Sequence, residues 1–135
     1  MQKFNIKDLN NNLQSLYHAA VAAREHAYIP YSHFGVGAAV RCASGKVYGG
    51  CNIENASYGL CVCGERNAIF NAVSAGEREL VELCVVADTE GPVSPCGACR
   101  QVMSEFKIKT IVLANLKGDC MVCTLEDLLP YGFEL

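Results

Sequence analysis

Length and composition predict a single compact domain. The chain has 135 residues, of which 51% are hydrophobic and only 19% are charged, and this balance excludes an intrinsically disordered chain. The net charge is −3 and no basic block occurs, which argues against nucleic acid as a partner. We therefore predict a single domain over residues 1–135. The high apolar fraction of so small a chain also favours burial between the subunits of a homo-oligomer.

Cysteine usage points to a reducing compartment. The chain has nine cysteines, an odd number that fits poorly with a fully paired disulfide framework. Residues 1–12 contain no continuous apolar run, and no apolar stretch is long enough to span a bilayer. We therefore expect a cytoplasmic protein without a membrane partner, in which thiols bind metal or are buried.

The first part of the chain predicts a helix followed by a strand. Asp8 can cap a helix that runs to about His26, since apolar residues recur there at helical spacing. Alternating apolar residues then predict a strand over residues 34–40. Gly35 and Gly37 within it indicate that another segment approaches the backbone closely.

The middle of the chain predicts a hairpin, a helix and a buried strand. A turn at residues 43–46 leads into a second strand over residues 47–53. Residues 63–73 then predict a helix that ends near Gly76. The nearly continuous apolar run over residues 80–87 predicts a strand that is buried on both faces.

The last part of the chain completes an α/β pattern. It predicts a helix over residues 96–106, a strand over residues 110–114 and a short edge strand over residues 120–123. A capping box at Thr124 then predicts the start of a one-turn helix over residues 125–129. Strand–helix–strand units imply a partly parallel sheet with helices on its faces. The predicted fold is a three-layer α-β-α sandwich around a mixed, roughly five-stranded sheet.

Three cysteines at two predicted helix starts suggest a catalytic zinc site. Cys96 and Cys99 are three residues apart, so one helical turn presents both sulfurs on the same side. Cys63 begins another helix and can complete a set of three protein ligands, which leaves a fourth position for water. Glu65 lies close by and need not bind the metal, so it can move protons as a general acid and base.

Two other interpretations of the thiols remain open at this point. A structural zinc clip needs a fourth ligand, which Cys61, Cys84, Cys120 or Cys123 can supply. A redox pair at residues 96–99 is the weaker alternative, because Glu65 would then have no purpose.

Charge balance adds two arginines to the predicted site. Three thiolates on Zn²⁺ and an ionised glutamate make an anionic centre, in which water is harder to ionise than in a three-histidine site. Arg66 follows Glu65 and Arg100 follows Cys99. Either guanidinium can donate to the thiolates and withdraw charge from them.

Several stretches together resemble the small homotetrameric cytidine deaminases. The pattern of a ligand, one residue and a glutamate, followed later by Pro-Cys-x-x-Cys, is that of zinc nucleobase deaminases. The resemblance covers nearly the whole chain from about residue 9, and its joint agreement is highly specific. It lies in Pro30-Tyr31-Ser32, Phe34 to Ala39, Gly50 to Ala56, Cys63 to Arg66, Ser94 to Gln101 and Leu128-Leu129-Pro130.

The resemblance implies an activity and a cofactor. It implies hydrolysis of cytidine and deoxycytidine to uridine and deoxyuridine with release of ammonia, a reaction of pyrimidine salvage. One Zn²⁺ per chain would be bound by Cys63, Cys96 and Cys99. Glu65 would shuttle protons between a zinc-activated water and the base.

The resemblance also assigns substrate contacts and an assembly. Backbone groups near Gly64 and Ser94 would contact the pyrimidine. A homotetramer with shared active sites is implied, in which Phe133 reaches a neighbouring subunit's site. Three side chains would contact the nucleoside directly, with Phe34 packing against the base and Asn52 and Glu54 binding the ribose hydroxyls.

Departures from the family and plainer roles stand beside these expectations. Gly64 occupies a position that is usually alanine in the family, which leaves the chemistry intact but adds flexibility at a helix start. From the pattern alone, Asn52 and Glu54 suit an ordinary turn, and Phe34 and Phe133 suit core packing. The rival activities are deamination of another aminopyrimidine nucleoside or of a base within RNA.

Overall fold

The computed structural model describes residues 3–135 and organises them around one six-stranded mixed sheet. The first two residues of the predicted domain lie outside the described part. The spatial strand order is β1-β6-β5-β4-β2-β3. The strands are β1 (Lys3–Asn5), β2 (Val36–Cys42), β3 (Val47–Cys51), β4 (Leu80–Ala87), β5 (Thr110–Asn115) and β6 (Asp119–Cys123).

Four α-helices cover the two faces of this sheet, as the sequence predicts. They are α1 (Asn11–Arg24), α2 (Gly64–Ser74), α3 (Gly97–Glu105) and α4 (Leu125–Leu128), with short 3₁₀ turns at Ile6–Asp8 and Tyr58–Leu60. Helix α1 packs through Leu16 and Ala20 on one face, while Ile69 of α2, Met103 of α3 and Leu128 of α4 pack on the other. The predicted three-layer α-β-α sandwich is confirmed.

The parallel part of the sheet is the β4–β5 pair, and the other pairings are antiparallel. Helix α3 is the crossover between these two parallel strands. Strands β3 and β4 both pair antiparallel with β2 and therefore run in the same direction, so their C-terminal ends lie at the same edge of the sheet. The loop after β4 therefore delivers the start of α3 to the region where α2 begins.

The predicted edge strand at residues 120–123 is wrong in its position. Strand β6 pairs with β5 on one side and with β1 on the other, so β1 is the outermost strand at this edge. The sequence does not reveal β1, because a strand of three residues is too short to give a periodicity signal. Its backbone pairing with β6 adds the sixth strand.

The predicted start of the first helix is also wrong. Asn10 caps α1, since its Oδ1 accepts from the N–H of Leu13 at 2.9 Å. Asp8 instead closes a capping box in the preceding 3₁₀ turn, where its Oδ2 accepts from the N–H of Asn5 at 3.2 Å. A carboxylate used there is not available to α1, so the helix begins later.

The hairpin strands are shorter than the sequence predicts at the end that approaches α2. Phe34 lies outside β2 because its N–H donates to Ser32 Oγ and its carbonyl accepts from Asn52 Nδ2, at 3.0 and 2.8 Å. Ile53 leaves β3 and forms isolated bridges with Tyr28 and Val62. Side-chain and bridging hydrogen bonds thus replace the regular ladder where the hairpin reaches α2.

No helix among residues 3–135 is both long and apolar enough to cross a membrane. Within residues 3–135, none of the nine cysteines forms a disulfide bond. Disulfides therefore contribute nothing to the fold, and its stability comes from the two apolar layers.

We predict that Gly37→Ala destabilises the fold by about 3 kcal/mol. A Cβ at this position would lie 2.1 Å from the carbonyl oxygen of Ala20, so helix α1 or strand β2 would have to shift. Chemical denaturation measures the loss. The matched control is Gly91→Ala, because an added Cβ there meets no atom within 4 Å. Equal stability of the two variants would contradict this account of the α1–β2 contact.

Candidate metal centre and active site

Three cysteine sulfurs meet where two helices begin. Cys63 is the N-cap residue of α2, Cys96 is the N-cap residue of α3, and Cys99 lies in the first turn of α3. The three Sγ atoms lie within 4.8 Å of one another, and 3.7 Å separates those of Cys63 and Cys96. Sulfurs in a tetrahedral zinc site are about 3.8 Å apart when each Zn–S bond is about 2.3 Å. The donor set therefore fits one Zn²⁺ per chain, with a fourth position free.

The structure does not bring a fourth cysteine to this cluster. Cys61 Sγ accepts from the N–H of Asn55 at 3.3 Å. Cys84 and Cys120 are buried on the α1 face of the sheet, and Cys123 is buried in the core of the other face. Within residues 3–135 the group that can hold a metal ion consists of three thiols, so a four-cysteine structural clip is not assembled there.

The surroundings favour negative charge on Cys63 and disfavour it on Cys99. Hydrogen bonds from Cys99 and Arg66 hold the pKa of the Cys63 thiol below its usual range, although burial opposes them. The N–H of Cys99 donates to Cys96 Sγ at 3.4 Å, as unpaired N–H groups at a helix start can do for a thiolate. The pKa of Cys99 is raised, first by its hydrogen bond to Cys63 and then by burial. A cation that binds here therefore displaces at least one proton.

The two arginines have different partners. Arg66 Nη2 donates to Cys63 Sγ at 3.3 Å, so its positive charge lies directly against a thiolate. Arg100 donates through Nε to the carbonyl of Pro95 and through Nη1 to the carbonyl of Leu128, both at 2.9 Å. Among the described residues no hydrogen bond joins Arg100 to a cysteine sulfur. The expected thiolate-balancing role of Arg100 is therefore corrected, because these carbonyls use its guanidinium to join the loop before α3 to the end of α4.

Glu65 is a buried carboxyl beside the thiols. It lies in the first turn of α2 and is only 4% exposed. Burial raises its pKa to about 7, and the neighbouring Cys63 thiolate acts in the same direction, while a backbone hydrogen bond opposes them. A carboxyl with a pKa near neutrality can both accept and return a proton. It does not belong to the group of ligand atoms.

The end of the β2–β3 hairpin lies directly on the start of α2. The Cα of Gly64 is so close to it that an added Cβ would be 3.0 Å from the carbonyl oxygen of Val36 and 3.4 Å from the nitrogen of Asn52. Ile53 and Val62 exchange two backbone hydrogen bonds of 3.0 Å. Residues 52–54 are therefore held beside the residue that precedes Cys63.

Asn52 and Glu54 are both tied to the chain segment that precedes β2. Asn52 Oδ1 accepts from the N–H of Val36 at 2.9 Å, and its Nδ2 donates to the carbonyl of Phe34. Glu54 accepts from the N–H groups of Tyr31 and Ser32 and from the hydroxyl of Ser32. These contacts place Phe34, Asn52 and Glu54 in one framework next to the start of α2. Phe34 is 42% exposed, so it is not a core residue.

Ser94 and Phe133 lie at different ends of α3. Ser94 is exposed two residues before Cys96, next to the buried Pro95. Phe133 is 67% exposed and lines a cavity of about 230 Å³ with Ser104 and other residues from the C-terminal part of α3. In the described chain, the structure thus brings Ser94 near the thiols of its own chain and does not bring Phe133 there.

Sequence reasoning missed two residues that organise the site. The side chain of Asn115 is fully buried and donates to the carbonyls of Thr89 and Glu90, both at 3.0 Å. It thereby holds the loop that leads to Cys96, and the signal that could have revealed it is a polar residue at the end of an apolar strand. Ser32 links Glu54 with Phe34; it lies in a stretch that carries the family resemblance, but nothing in the sequence indicates its partner 22 residues away.

A family model described as the cytidine and deoxycytidylate deaminase zinc-binding region matches residues 10–115. Two curated relatives are called cytidine deaminase. The one from Sporosarcina psychrophila is 52% identical over 91% of this chain and 92% of its own length. The one from Halalkalibacterium halodurans is 53% identical over 89% of this chain and 92% of its own length.

Solved structures give the same result. The crystal structure of cytidine deaminase from Burkholderia pseudomallei superposes with a TM-score of 0.86 at 50% identity and covers 93% of this chain and 100% of that chain. The crystal structure of cytidine deaminase from Mycobacterium tuberculosis has a TM-score of 0.80 at 36% identity and covers 93% of this chain and 100% of that chain. This chain is therefore similar to these proteins in sequence and in fold along nearly its whole length.

We predict that Arg66→Gln weakens zinc binding about 10- to 100-fold, the usual effect of losing a group that supports a metal ligand. The guanidinium that lies 3.3 Å from Cys63 Sγ would be replaced by a neutral amide. Competition with a chromogenic chelator measures the zinc affinity. Arg78→Gln is the matched control, because Arg78 donates to the carbonyls of Val73 and Glu77 beyond the other end of α2. Unchanged zinc affinity in Arg66→Gln would contradict the role of this contact.

Proposed function

This chain belongs to the cytidine deaminase family, and from that premise we propose that it hydrolyses cytidine and deoxycytidine to uridine and deoxyuridine, with release of ammonia. One observation carries the proposal. A buried carboxyl, Glu65, lies beside a cluster of three thiols that fits one Zn²⁺ and leaves a coordination position open. A structural metal clip has no use for such a carboxyl, whereas hydrolysis needs a proton carrier next to the nucleophile.

Zinc bound by Cys63, Cys96 and Cys99 would lower the pKa of a water molecule and so make it a nucleophile. Three thiolates leave the centre anionic even with the dication in place. Arg66 lies against Cys63 Sγ and draws negative charge away from it. The N–H of Cys99 does the same for Cys96 Sγ. These contacts compensate for a ligand set that is more electron-rich than three histidines.

Glu65 moves two protons in succession. Its carboxylate takes one proton from the attacking water and gives it to N3 of the pyrimidine, while the water oxygen bonds to C4. It then carries the proton of the new hydroxyl to the exocyclic amino nitrogen. The C4–N bond breaks, ammonia leaves, and the 4-carbonyl of the uracil ring remains. Burial, which raises the pKa of Glu65 to about 7, suits a group that must accept and return protons near neutral pH.

The remaining residues hold the nucleoside. The backbone N–H of Gly64 and backbone groups near Ser94 contact the pyrimidine, and Phe34 packs against its face. Asn52 can accept or donate hydrogen bonds at the sugar hydroxyls, and the Glu54 carboxylate accepts them. The proximity of Asn52 to Gly64 and the bridge between Ile53 and Val62 support this assignment, because they keep the sugar-binding residues beside the metal centre.

We also propose a homotetramer with shared active sites. A set of large apolar residues is exposed around the end of the hairpin and the following loop, and such a patch on a single chain usually marks an interface. Phe133 lies away from its own chain's thiols, so it would act in a neighbouring subunit's site. The patch consists of Tyr28, Tyr31, Phe34, Ile53, Tyr58 and Leu60.

The cellular setting follows from the same reasoning. A free nucleoside as substrate fits the acidic net charge of −3, which gives no attraction for a polyanion such as RNA. Thiols must stay reduced to bind zinc, so we propose that the protein works in the cytoplasm, in pyrimidine salvage.

The test of the activity is an absorbance assay with cytidine, deoxycytidine, cytosine and adenosine, alongside measurement of zinc per chain. We expect one zinc per chain and turnover of the two cytosine nucleosides. A protein that holds one zinc but converts none of the four compounds would refute the enzymatic proposal and leave a structural zinc domain as the better account.

We predict that Glu65→Gln keeps the fold and the zinc but lowers ammonia release from cytidine by at least about 10³-fold, since an amide cannot carry the protons. Glu79→Gln is the control, because this exposed glutamate lies between α2 and β4. Zinc analysis and thermal denaturation establish that the variants are intact. Residual activity within about tenfold of the unsubstituted chain would show that another group carries the protons.

We predict that Phe133 acts across a subunit interface, which subunit mixing can test. Light scattering should give a tetramer, and Phe133→Ala should lower kcat/KM. Mixed tetramers of Phe133→Ala and Glu65→Gln chains should regain activity, because some sites then combine an intact Glu65 with a neighbour's intact Phe133. A mixture no more active than Phe133→Ala alone, or a fully active monomer, would contradict the shared site.

A further inference from the structure

The hydroxyl of Ser32 joins two residues of the proposed substrate site. Its Oγ donates to Glu54 Oε2 and accepts from the N–H of Phe34 at 3.0 Å. The backbone N–H of Ser32 also donates to Glu54 Oε1 at 3.1 Å. One residue thus orients both the carboxylate proposed for the sugar and the backbone of the aromatic residue proposed for the base.

The hydrogen bonds of Glu54 leave it little freedom. An ionised carboxylate accepts at about four positions, two on each oxygen. Oε1 accepts from the N–H groups of Tyr31 and Ser32, at 3.0 and 3.1 Å, so its positions are filled. Oε2 accepts from the Ser32 hydroxyl, so one position remains. These bonds, that of the Ser32 hydroxyl first, lower the pKa of Glu54, and at neutral pH the group is an acceptor only.

We propose that Ser32 is a positioning residue for the sugar: by holding Glu54 Oε2, it directs the one remaining acceptor position of that carboxylate at a hydroxyl group of the nucleoside. This inference rests on the proposed function, because it concerns how the same site binds the same nucleoside. It assigns to Ser32 a part in substrate affinity and none in the proton transfers, which belong to Glu65.

The alternative is that Ser32 only stabilises its own loop. Residues 31–34 are all exposed, so the Ser32 hydroxyl supports no packed core, and its removal should leave folding and zinc content unchanged. A hydroxyl that merely stabilised the loop would change the melting temperature and would have no effect on the affinity for cytidine that depends on Glu54. The two accounts can therefore be separated by measuring affinity.

The first measurement is steady-state kinetics with cytidine. We expect Ser32→Ala to raise KM about tenfold while kcat stays within about twofold, as for loss of a hydrogen bond to a charged group that acts on binding alone. Ser32→Thr keeps the hydroxyl and should restore KM to within about twofold of the unsubstituted chain. Melting temperature and zinc per chain should be the same in all three proteins.

Ser44, in the turn of the β2–β3 hairpin, offers a matched control. Its Oγ donates to Glu77 Oε2 at 2.8 Å and accepts from the N–H of Lys46 at 3.3 Å, which repeats the local arrangement of Ser32. It lies in the turn at the other end of β2, about 20 Å away for a strand of this length. Ser44→Ala should leave KM unchanged, so any effect of Ser32→Ala cannot come from losing a serine–glutamate bond in general.

The second measurement asks whether Ser32 acts through Glu54. The dissociation constant of cytidine is measured in the inactive Glu65→Gln background for Ser32→Ala, Glu54→Gln and both together. We expect Ser32→Ala to weaken binding about tenfold when Glu54 is present and less than about twofold when it is already replaced. Titration calorimetry gives all four values without turnover.

An unchanged KM in Ser32→Ala, a fall in kcat with KM unaltered, or a full additional loss in the Glu54→Gln background would each overturn the inference. Failure of the proposed function looks different. In that case the unsubstituted chain would neither convert nor bind cytidine, and the assignment of Ser32 would fall together with the activity on which it rests.

Discussion

The structure depends on bringing three thiols within 4.8 Å of one another and compensating their negative charge. Thiolates this close repel each other, and partial burial removes the water that would otherwise screen them. The thiols lie at the starts of two helices, where unpaired backbone N–H groups stabilise negative charge. Arg66 adds a full positive charge against Cys63, and a bound dication supplies the rest. The loop after β4 places the start of α3 beside the start of α2, and this brings the three thiols together.

The same contact region links metal binding to substrate binding. The β2–β3 hairpin ends so close to Gly64 that an added Cβ would lie 3.0 Å from the carbonyl oxygen of Val36 and 3.4 Å from the backbone nitrogen of Asn52. A shift of α2 would therefore move the residues proposed for the sugar along with Cys63 and Glu65. The metal-binding thiols, Glu65 and the residues proposed for the sugar are parts of one packed unit, which is how a small protein can keep reacting groups in fixed relative positions.

The sequence predicted the parts of the site that depend on short spacing. Cys96 and Cys99 share one helical turn, and Glu65 is two residues from Cys63, so local geometry brings these groups together. Features that depend on partners distant in sequence were not predicted. These are the pairing of β1 with β6 and the hydrogen-bond partners of Arg100. Arg66 and Arg100 looked equivalent in sequence. Their partners differ because carbonyls of Pro95 and Leu128 lie within reach of Arg100 and only the fold reveals that.

The contrast between Glu65 and Cys96 suggests why assembly matters for this chemistry. Glu65 is almost fully buried within one chain, whereas Cys96 is exposed and so are the aromatic residues around the end of the β2–β3 hairpin. A charged centre that is open to water loses much of the electrostatic advantage on which hydrolysis depends, because water screens each interaction. A neighbouring chain that covers the exposed aromatic residues would exclude that water. The single chain thus builds the reacting groups, and the proposed tetramer would supply the dry surroundings in which they act.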